Sequence, residues 1–274
     1  MLPPKGNNVT LPQPRVLQKL EGAPWEIDPY LKTGGYEAWR KCLKELTPND
    51  IVGEIKKAGL RGRGGAGFPT GTKWDKVLNH RVQERYFVCN AGEHEPGTFK
   101  DRHLLKHIPH QLSEGCLIAS RTVNAKASYI YVNHEYAEEE ANLRKAIAQA
   151  RERGLLGKNI LGTGVDLDLE VYSGHGSYVA GEETAMLESM QGRPAMPRQK
   201  PPFYPTDFGL YGKPTLVNNV ETLCNIPLIL KNGAAWFTQV GTEKCPGTML
   251  FSLSGAVNRP GVYEMPMGVT IRDL

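Results

Sequence analysis

The stretch Leu60-Arg-Gly-Arg-Gly-Gly-Ala-Gly-Phe-Pro-Thr-Gly71 constrains this chain more than any other part of it. Glycine has no Cβ, so backbone here can approach a ligand closely, and successive amides can form an anion-binding nest. Arg61, Arg63 and Lys73 place cations beside those amides, the arrangement a phosphate site requires. Gly62-x-Gly64-x-x-Gly67 satisfies G-x-G-x-x-G, but a dinucleotide fingerprint should follow a strand and this one follows a predicted helix. The Walker pattern also fails, because Lys73 is followed by Trp74. Phe68 and Trp74 argue against a merely flexible surface loop. The residues alone point to a nucleotide or flavin phosphate site.

The elements around this loop alternate between strand and helix. Tyr36–Leu46 has helical spacing, and Thr47-Pro48-Asn49-Asp50 opens a second helix that weakens at Gly59. Arg85–Asn90 reads as a buried strand, Asp101–Arg121 as a long helix kinked at Pro109, and Ser128–Val132 as a second strand. Ala137–Gly154 should be a helix, Leu167–Tyr172 a strand, Gly181–Gly192 a helix, Asn218–Leu230 mostly helical and Thr248–Leu253 a strand. This rhythm predicts an α/β layered fold with a mainly parallel sheet. Residues 1–30, rich in proline and polar side chains, read as an extended arm held by Trp25.

Further loops carry candidate ligand groups. Cys89-Asn-Ala-Gly-Glu-His-Glu-Pro-Gly97 directly follows a strand, where open α/β sheets bind ligands, so Asn90, Glu93 and Glu95 would project into a site. Gly174–Thr184 is a second glycine-rich loop, and it brings Glu182 and Glu183 to a helix start. Those acids either cap the helix dipole or accept hydrogen bonds from ligand hydroxyls. Arg198–Phe203 is a rigid basic-then-aromatic turn, and Asn218-Asn219 opens another helix either as a plain cap or as a ligand contact.

What is missing narrows the function. The net charge of +4 on 274 residues is small and dispersed, which argues against nucleic acid. No apolar run reaches the roughly 18 residues of a membrane span, and the N-terminus has no signal-like core, so the chain reads as cytoplasmic or organelle-matrix. Cys42, Cys89, Cys116, Cys224 and Cys245 are widely spaced, form no C-x-x-C, and read as reduced buried thiols. His103, His107 and His110 could share a helix face, but lack the acid of H-E-x-x-H, and no metal is expected there.

With these loops assembled, the chain resembles the NADH-oxidising flavoprotein subunit of respiratory complex I, a family that includes diaphorase subunits of NAD-linked hydrogenases and formate dehydrogenases. The resemblance is carried by GLRGRGGAGFPTGTKW, CNAGEHEPGTFKDR, YIYVNHEYAEEEANLRKAI, GLLGKNILGTG, GEETAMLESMQGRPAMPRQKPPF and GLYGKPTLVNNVETLCNIP, and covers nearly everything after residue 25. It implies a Rossmann-like FMN- and NADH-binding domain over residues 31–245. The start of a small ubiquitin-like α+β (SLBB) domain would follow over 246–274.

Position by position, the resemblance implies that Gly62, Gly64 and Lys73 surround the FMN phosphate. Asn90, Glu93, Tyr178, Gly181, Glu182, Glu183, Asn218, Asn219 and Thr222 would contact the flavin. Phe68, Glu95, Lys200 and Phe203 would hold NADH, with both phenylalanines stacking on adenine. Glu93 and Glu183 are the candidate catalytic groups, Glu183 near the nicotinamide. The implied activity is hydride transfer from NADH to FMN, then electron delivery to a thioredoxin-like [2Fe–2S] subunit and a larger iron–sulfur subunit. Quinone would be the final acceptor in complex I, with the assembly peripheral on the cytoplasmic face of the inner membrane. The family's cysteine-ligated [4Fe–4S] domain has no counterpart here, so the chain is read as truncated before it.

Several positions depart from the family pattern. Gly92 stands where an acid is usual, His94 replaces a small residue, Asn133-His134 an Arg-Gly pair, and Ala180 a cysteine. The alternative they raise is a divergent paralogue, either non-catalytic or linked to ferredoxin.

Overall fold

Local signals explain most of the elements. In a computed structural model that describes residues 14–274, α1 (Ile27–Lys32) and α2 (Glu37–Lys44) precede α3 (Pro48–Ala58). Thr47 and Asp50 close a capping box on α3, with Pro48 in its first turn. Gly59 ends that helix at φ +64°, a conformation that favours glycine. The glycine loop then leads into α4 (Thr70–Leu78).

Beyond α4 come β1 (Tyr86–Ala91), α5 (Lys100–His107), α6 (Pro109–Thr122), β2 (Ala127–Val132), α7 (Ala137–Glu152) and β3 (Glu170–Ser173). The rest comprises α8 (Glu183–Met190), α9 (Pro205–Phe208), β4 (Thr215–Asn219), α10 (Val220–Asn232), α11 (Ala234–Phe237), the short pair β5 (Gly241–Thr242) and β6 (Cys245–Pro246), and β7 (Thr248–Leu253) with β8 (Gly261–Pro266).

Four parallel strands form the central sheet in the order β3-β2-β1-β4. β1 sits in the middle with helices on both sides, which is why Tyr86-Phe-Val-Cys is continuously apolar rather than alternating. The chain leaves β1 toward β2 and β3, then crosses back to lay β4 on the opposite side. The crevice at the carboxyl ends of β1 and β4 is therefore the topological switch point, where such sheets bind ligands. Asn90 and Asn219 are register partners there.

Two spans differ from the sequence expectation. Asp101–Arg121 is two helices, because Ile108 before Pro109 leaves helical backbone at φ −137° and ψ 48°. That break separates the histidines: His103 and His107 pair on α5 with ring centroids 4.4 Å apart, while His110 is buried on α6. The alternating 166–172 segment enters the sheet only from Glu170. Its first half instead forms an isolated antiparallel bridge between Leu167 and Gly157.

Four cysteines are buried free thiols and Cys245 is half-buried. Among the described residues no helix is long and apolar enough to cross a membrane. Of the segment read as an arm, residues 1–13 lie outside the described residues. The remainder is extended only as far as Glu26, because α1 starts at Ile27, and it is tied down at both ends. Val16 and Leu17 amides donate to Glu264 of β8 at 2.9–3.0 Å. Lys145 lies 4.1 Å over the Trp25 ring, and the Trp25 carbonyl accepts from His110 Nε2 at 2.9 Å.

Candidate functional site

The glycine loop is held at its neck and pressed onto the start of α10. Gly62 N donates to Phe68 O and Thr70 N to Leu60 O, both at 2.9 Å. Arg63 N donates to Thr222 Oγ1 at 2.9 Å. A Cβ on Gly64 would lie 3.0 Å from Asn219 Cβ, so any larger residue would have to push the loop a few tenths of an ångström off the strand end. Gly65 and Gly67 adopt φ of +115° and +62°.

Two of the three cations expected beside these amides face elsewhere. Arg61 Nε donates to Gly67 O at 2.8 Å, and the buried Arg63 guanidinium donates to Pro246 O at 3.0 Å. Loop carbonyls left open by the tight turn and by β6 capture them. Lys73 is the one that faces the crevice, 3.2 Å from Val217 O and 3.6 Å from Glu183 Oε2.

Two cavities meet over the switch point. One of about 690 Å³ is lined by Gly62, Phe68, Lys73, Glu183, Lys200, Asn218 and Thr222, with Lys76 and Tyr204. The other, of about 600 Å³, is lined by Glu93, His94, Glu95, Asp101 and Tyr178. Gly64, Asn90, Gly181, Glu182 and Asn219 belong to the walls of both, so the two form one trough. Each is within the ~300–1,000 Å³ range of small-molecule sites.

Phe203 is the predicted site residue that lines neither cavity. It packs on Phe208 with centroids 5.5 Å apart, and Tyr204 and Lys76 occupy the wall instead. Lys76 is held there by Asp207 at 2.5 Å.

The acidic groups are already engaged. Glu93 accepts from Asp101 N at 2.9 Å and Arg102 N at 3.0 Å, capping the start of α5, and from Tyr136 OH at 3.3 Å. Burial, reinforced by the Asp101 charge, pushes its carboxyl up to about 6. Glu182 caps α8 through Thr184 N at 2.8 Å and Ala185 N at 2.9 Å, so its capping role is real. Burial works against its charge, but Lys200 at 2.7 Å and Thr184 hold its carboxyl below the usual range. Lys200 also pairs with Glu183 at 3.2 Å, and Glu95 accepts from Tyr178 OH at the rim.

The three asparagines are oriented by the protein, and each keeps an amide N–H for a ligand. Asn90 Nδ2 donates to Gly181 O at 3.0 Å while its Oδ1 accepts from Gly92 N. Asn218 Oδ1 accepts from Trp74 Nε1 at 2.8 Å. Asn219 Oδ1 caps α10 and its Nδ2 donates to Asp101 Oδ2 at 2.6 Å.

The departing positions are built into the same walls. Asn133 Nδ2 donates to Glu93 O at 3.0 Å, and His134 Nδ1 accepts from Gly176 N at 3.1 Å. His94 has a buried Nε2 without a partner, and burial keeps its imidazole below its ordinary value. A Cβ on Gly92 would meet Asn90 Oδ1 at 3.1 Å and Tyr131 Cε1 at 3.3 Å, a tight but nearly open space.

Sequence reasoning passed over Lys100, Asp101 and Glu221, a buried ionic group at the trough, and Lys76 and Tyr204 on its wall. No local signal marks that group, because Lys100 and Asp101 meet Glu221 only when α5 and α10 pack together.

The chain matches the Nuo51 FMN-binding domain family over residues 55–228. It is 51% identical over 249 residues to an NADH-quinone oxidoreductase subunit of Escherichia coli, covering 90% of this chain and 56% of that protein. The corresponding protein of Aquifex aeolicus is 50% identical over 248 residues, 58% of its length. Among solved structures, the NAD+-reducing [NiFe]-hydrogenase in its H2-reduced state superposes with a TM-score of 0.79 at 42% identity, covering 89% of this chain and 41% of that one. The chain thus spans little more than half the length of these curated relatives. A glycine loop pressed against paired strand ends, in a sequence this similar over this span, makes the chain a member of the Nuo51 FMN-binding domain family.

Proposed function

We propose that the chain binds FMN and NADH in the shared trough, oxidises NADH, and delivers electrons to iron–sulfur partners as the NADH dehydrogenase module of a complex I-like or NAD-linked redox complex. The observation that carries this reading is the common wall of Gly64, Asn90, Gly181, Glu182 and Asn219, which makes one trough large enough for two nucleotides. The residues present fit a flavin nucleotide. Gly64 forms a cradle that a Cβ would fill, Lys73 supplies a cation, and three strand-end carboxamides keep free donors.

Bound FMN supplies the hydride acceptor and the means to release electrons singly. The chain supplies placement. Amides of the Gly62–Gly67 loop and Lys73 would hold the phosphate, and Asn90, Asn218, Asn219, Thr222, Tyr178, Gly181 and Glu182 would hold the ring system. Phe68 and Tyr204, on the wall of the same cavity, would stack the adenine of NADH, Lys200 and Glu95 would bind its polar parts, and Glu183 would serve the nicotinamide. Hydride transfer moves the proton with its electron pair, so alignment of the two rings matters more than an acid–base pair. Glu93 and Glu183 act through charge and orientation.

Residues 246–274, the β7–β8 hairpin, begin the small ubiquitin-like domain. The partners are a thioredoxin-like [2Fe–2S] subunit and a larger iron–sulfur subunit, in an assembly peripheral to the cytoplasmic face of the membrane. Relatives named as a subunit of NADH-quinone oxidoreductase, and a hydrogenase neighbour, support this placement.

The test is direct. Purified protein should bind FMN stoichiometrically, and anaerobic NADH should bleach the flavin absorbance. Folded protein that takes up no FMN, or a bound flavin that NADH leaves oxidised, would refute the reading.

A further inference from the structure

In the wall of the smaller cavity Lys100 and Asp101 belong to a buried charge cluster in which Lys100 has no role in the mechanism above. Lys100 is 7% exposed, and its ammonium lies 2.7 Å from Asp101 Oδ1 and 3.1 Å from Glu221 Oε2. Asp101 and Glu221 are 4% and 1% exposed. Glu93 adds a third buried carboxylate through its bonds to the Asp101 and Arg102 amides. The neighbouring cation, Arg102, is exposed and faces Glu139 across the Tyr136 ring. One ammonium therefore serves three buried carboxylates.

Both ends of the cluster reach elements that shape the trough. Asp101 Oδ2 accepts from Asn219 Nδ2 at 2.6 Å, while Asn219 Oδ1 accepts from Glu221 N at 3.0 Å. Those two bonds, with a longer one from Lys100 Nζ to Asn219 Oδ1 at 3.5 Å, fix the rotation of the Asn219 carboxamide in the cavity wall. On the other side Glu221 Oε1 accepts from Leu250 N of β7 at 2.9 Å, and Phe99 N donates to Ser252 Oγ of the same strand at 3.0 Å. Met249, also on β7, lines the cavity.

We propose that Lys100 is a positioning residue for the flavin cavity: its ammonium orients Asn219, directly and through Asp101, and anchors β7 to the cavity floor through Glu221. The proposal rests on the trough being the flavin site. Burial alone would lower the Lys100 ammonium, yet Asp101 and Glu221 outweigh it and hold it above its ordinary value. Burial also pushes Glu221 up to about 7, against the pull of Lys100 and of the Leu250 amide, so losing Lys100 removes the larger of the two groups that favour its ionised form. Removing one member of such a group leaves the others uncompensated, so its geometry collapses locally first.

The test uses Lys100→Met, the charge-balanced double variant Lys100→Met/Glu221→Gln, which protects against simple unfolding, and Lys100→Arg. Three readouts are taken on protein whose melting curve shows it folded. FMN affinity, by fluorescence quenching on apoprotein, should weaken about tenfold in both methionine variants. In the charge-balanced double variant the potential should hold, whereas in Lys100→Met, where the positive charge is lost without compensation, the bound flavin should lose a further tenfold in its reduced form. That lowers the midpoint potential by ~30 mV for a two-electron couple. Hydrogen exchange at the Leu250 amide should accelerate while β1 and β2 amides keep their protection. Lys100→Arg, which keeps the charge, should recover most of the affinity and potential. A folded double variant with unchanged FMN affinity and Leu250 exchange would overturn the proposal. If the native protein itself takes up no FMN, the flavin reading fails, and Leu250 exchange still decides whether Lys100 anchors β7.

Discussion

Gly115→Ala sets helix propensity against packing, and the structure says which wins. Gly115 lies on α6 where it crosses α10, and a Cβ built there would fall inside the contact distance of Leu223 O and within 2.8 Å of its carbonyl carbon. The crossing is this close partly because Pro227, inside α10, has no N–H to offer the Leu223 carbonyl. Alanine in a helix gains about 1 kcal/mol over glycine. Against that, relieving overlap with a backbone atom means parting two packed helices by roughly 1 Å, at the upper end of the ~1–3 kcal/mol that overpacking costs. The net expectation is a loss of about 2 kcal/mol in urea unfolding followed by circular dichroism. Leu223 directly follows Thr222, so the same displacement should weaken FMN binding in fluorescence titration. Gly53 provides the control: it lies within α3 with nothing inside 4 Å of its built Cβ, so Gly53→Ala should stabilise by up to ~1 kcal/mol. If Gly115→Ala were as stable as the native protein while Gly53→Ala gained, the steric argument would be wrong.

Three further predictions concern single contacts. His110 is buried with its Nε2 donating to Trp25 O, so Nδ1 accepts from Tyr36 OH at 3.0 Å and the ring is neutral. Burial lowers its imidazole from 6.5 to about 4, so the unfolded chain binds the proton first. Stability from this group is complete above pH 6.5 and is lost as pH falls toward 4, about 2 kcal/mol of it between pH 7 and 5. Thermal unfolding of His110→Gln should lack that part of the slope. Glu264→Ala removes the acceptor of the Val16 and Leu17 amides, and should cost about 1–3 kcal/mol and speed trypsin cleavage after Arg15 in limited proteolysis. Lys73→Met removes the cation that faces the trough and should weaken FMN binding about tenfold or more without shifting the melting temperature much, as read by titration and calorimetry.

The fold was legible wherever a local rule had no competitor. Thr47, Pro48 and Asp50 announce α3, Gly59 closes it, and the β-branched and aromatic run at Ser128–Val132 enters the sheet as expected. The misreadings have tertiary causes. The alternation across 166–172 is genuine, but its first half is satisfied by Gly157 rather than by β2, so the strand begins later than its pattern. The long helix from Asp101 divides because a residue preceding proline is driven from helical backbone, and both pieces then pack on α7 and α10. Neither outcome is contained in the segment's own periodicity.

The trough shows the same division between what short-range sequence encodes and what only folding assembles. Glycines and strand-end asparagines reveal themselves because their chemistry depends on the backbone beside them: Gly64 must be small where it meets Asn219, and Asn90 must end β1. Charges do not, because a side chain this long goes to whichever partner the fold leaves open. Arg61 and Arg63 stand next to the loop in sequence yet serve the carbonyls of Gly67 and Pro246. Lys100 stands well outside the glycine loop, yet its ammonium is enclosed by Asp101 and Glu221, residues from two helices with more than half the sheet between them in the chain. Phe203 follows the same logic in reverse: its position in a basic-aromatic turn suggests a wall, but Phe208 is nearer and takes the ring. Proximity in sequence therefore identifies the surface on which this site is built, while the balance of buried charge beneath it, three carboxylates against one ammonium, arises only when β1, α5, α10 and β7 are brought together. That balance is the part of the site most exposed to a single substitution.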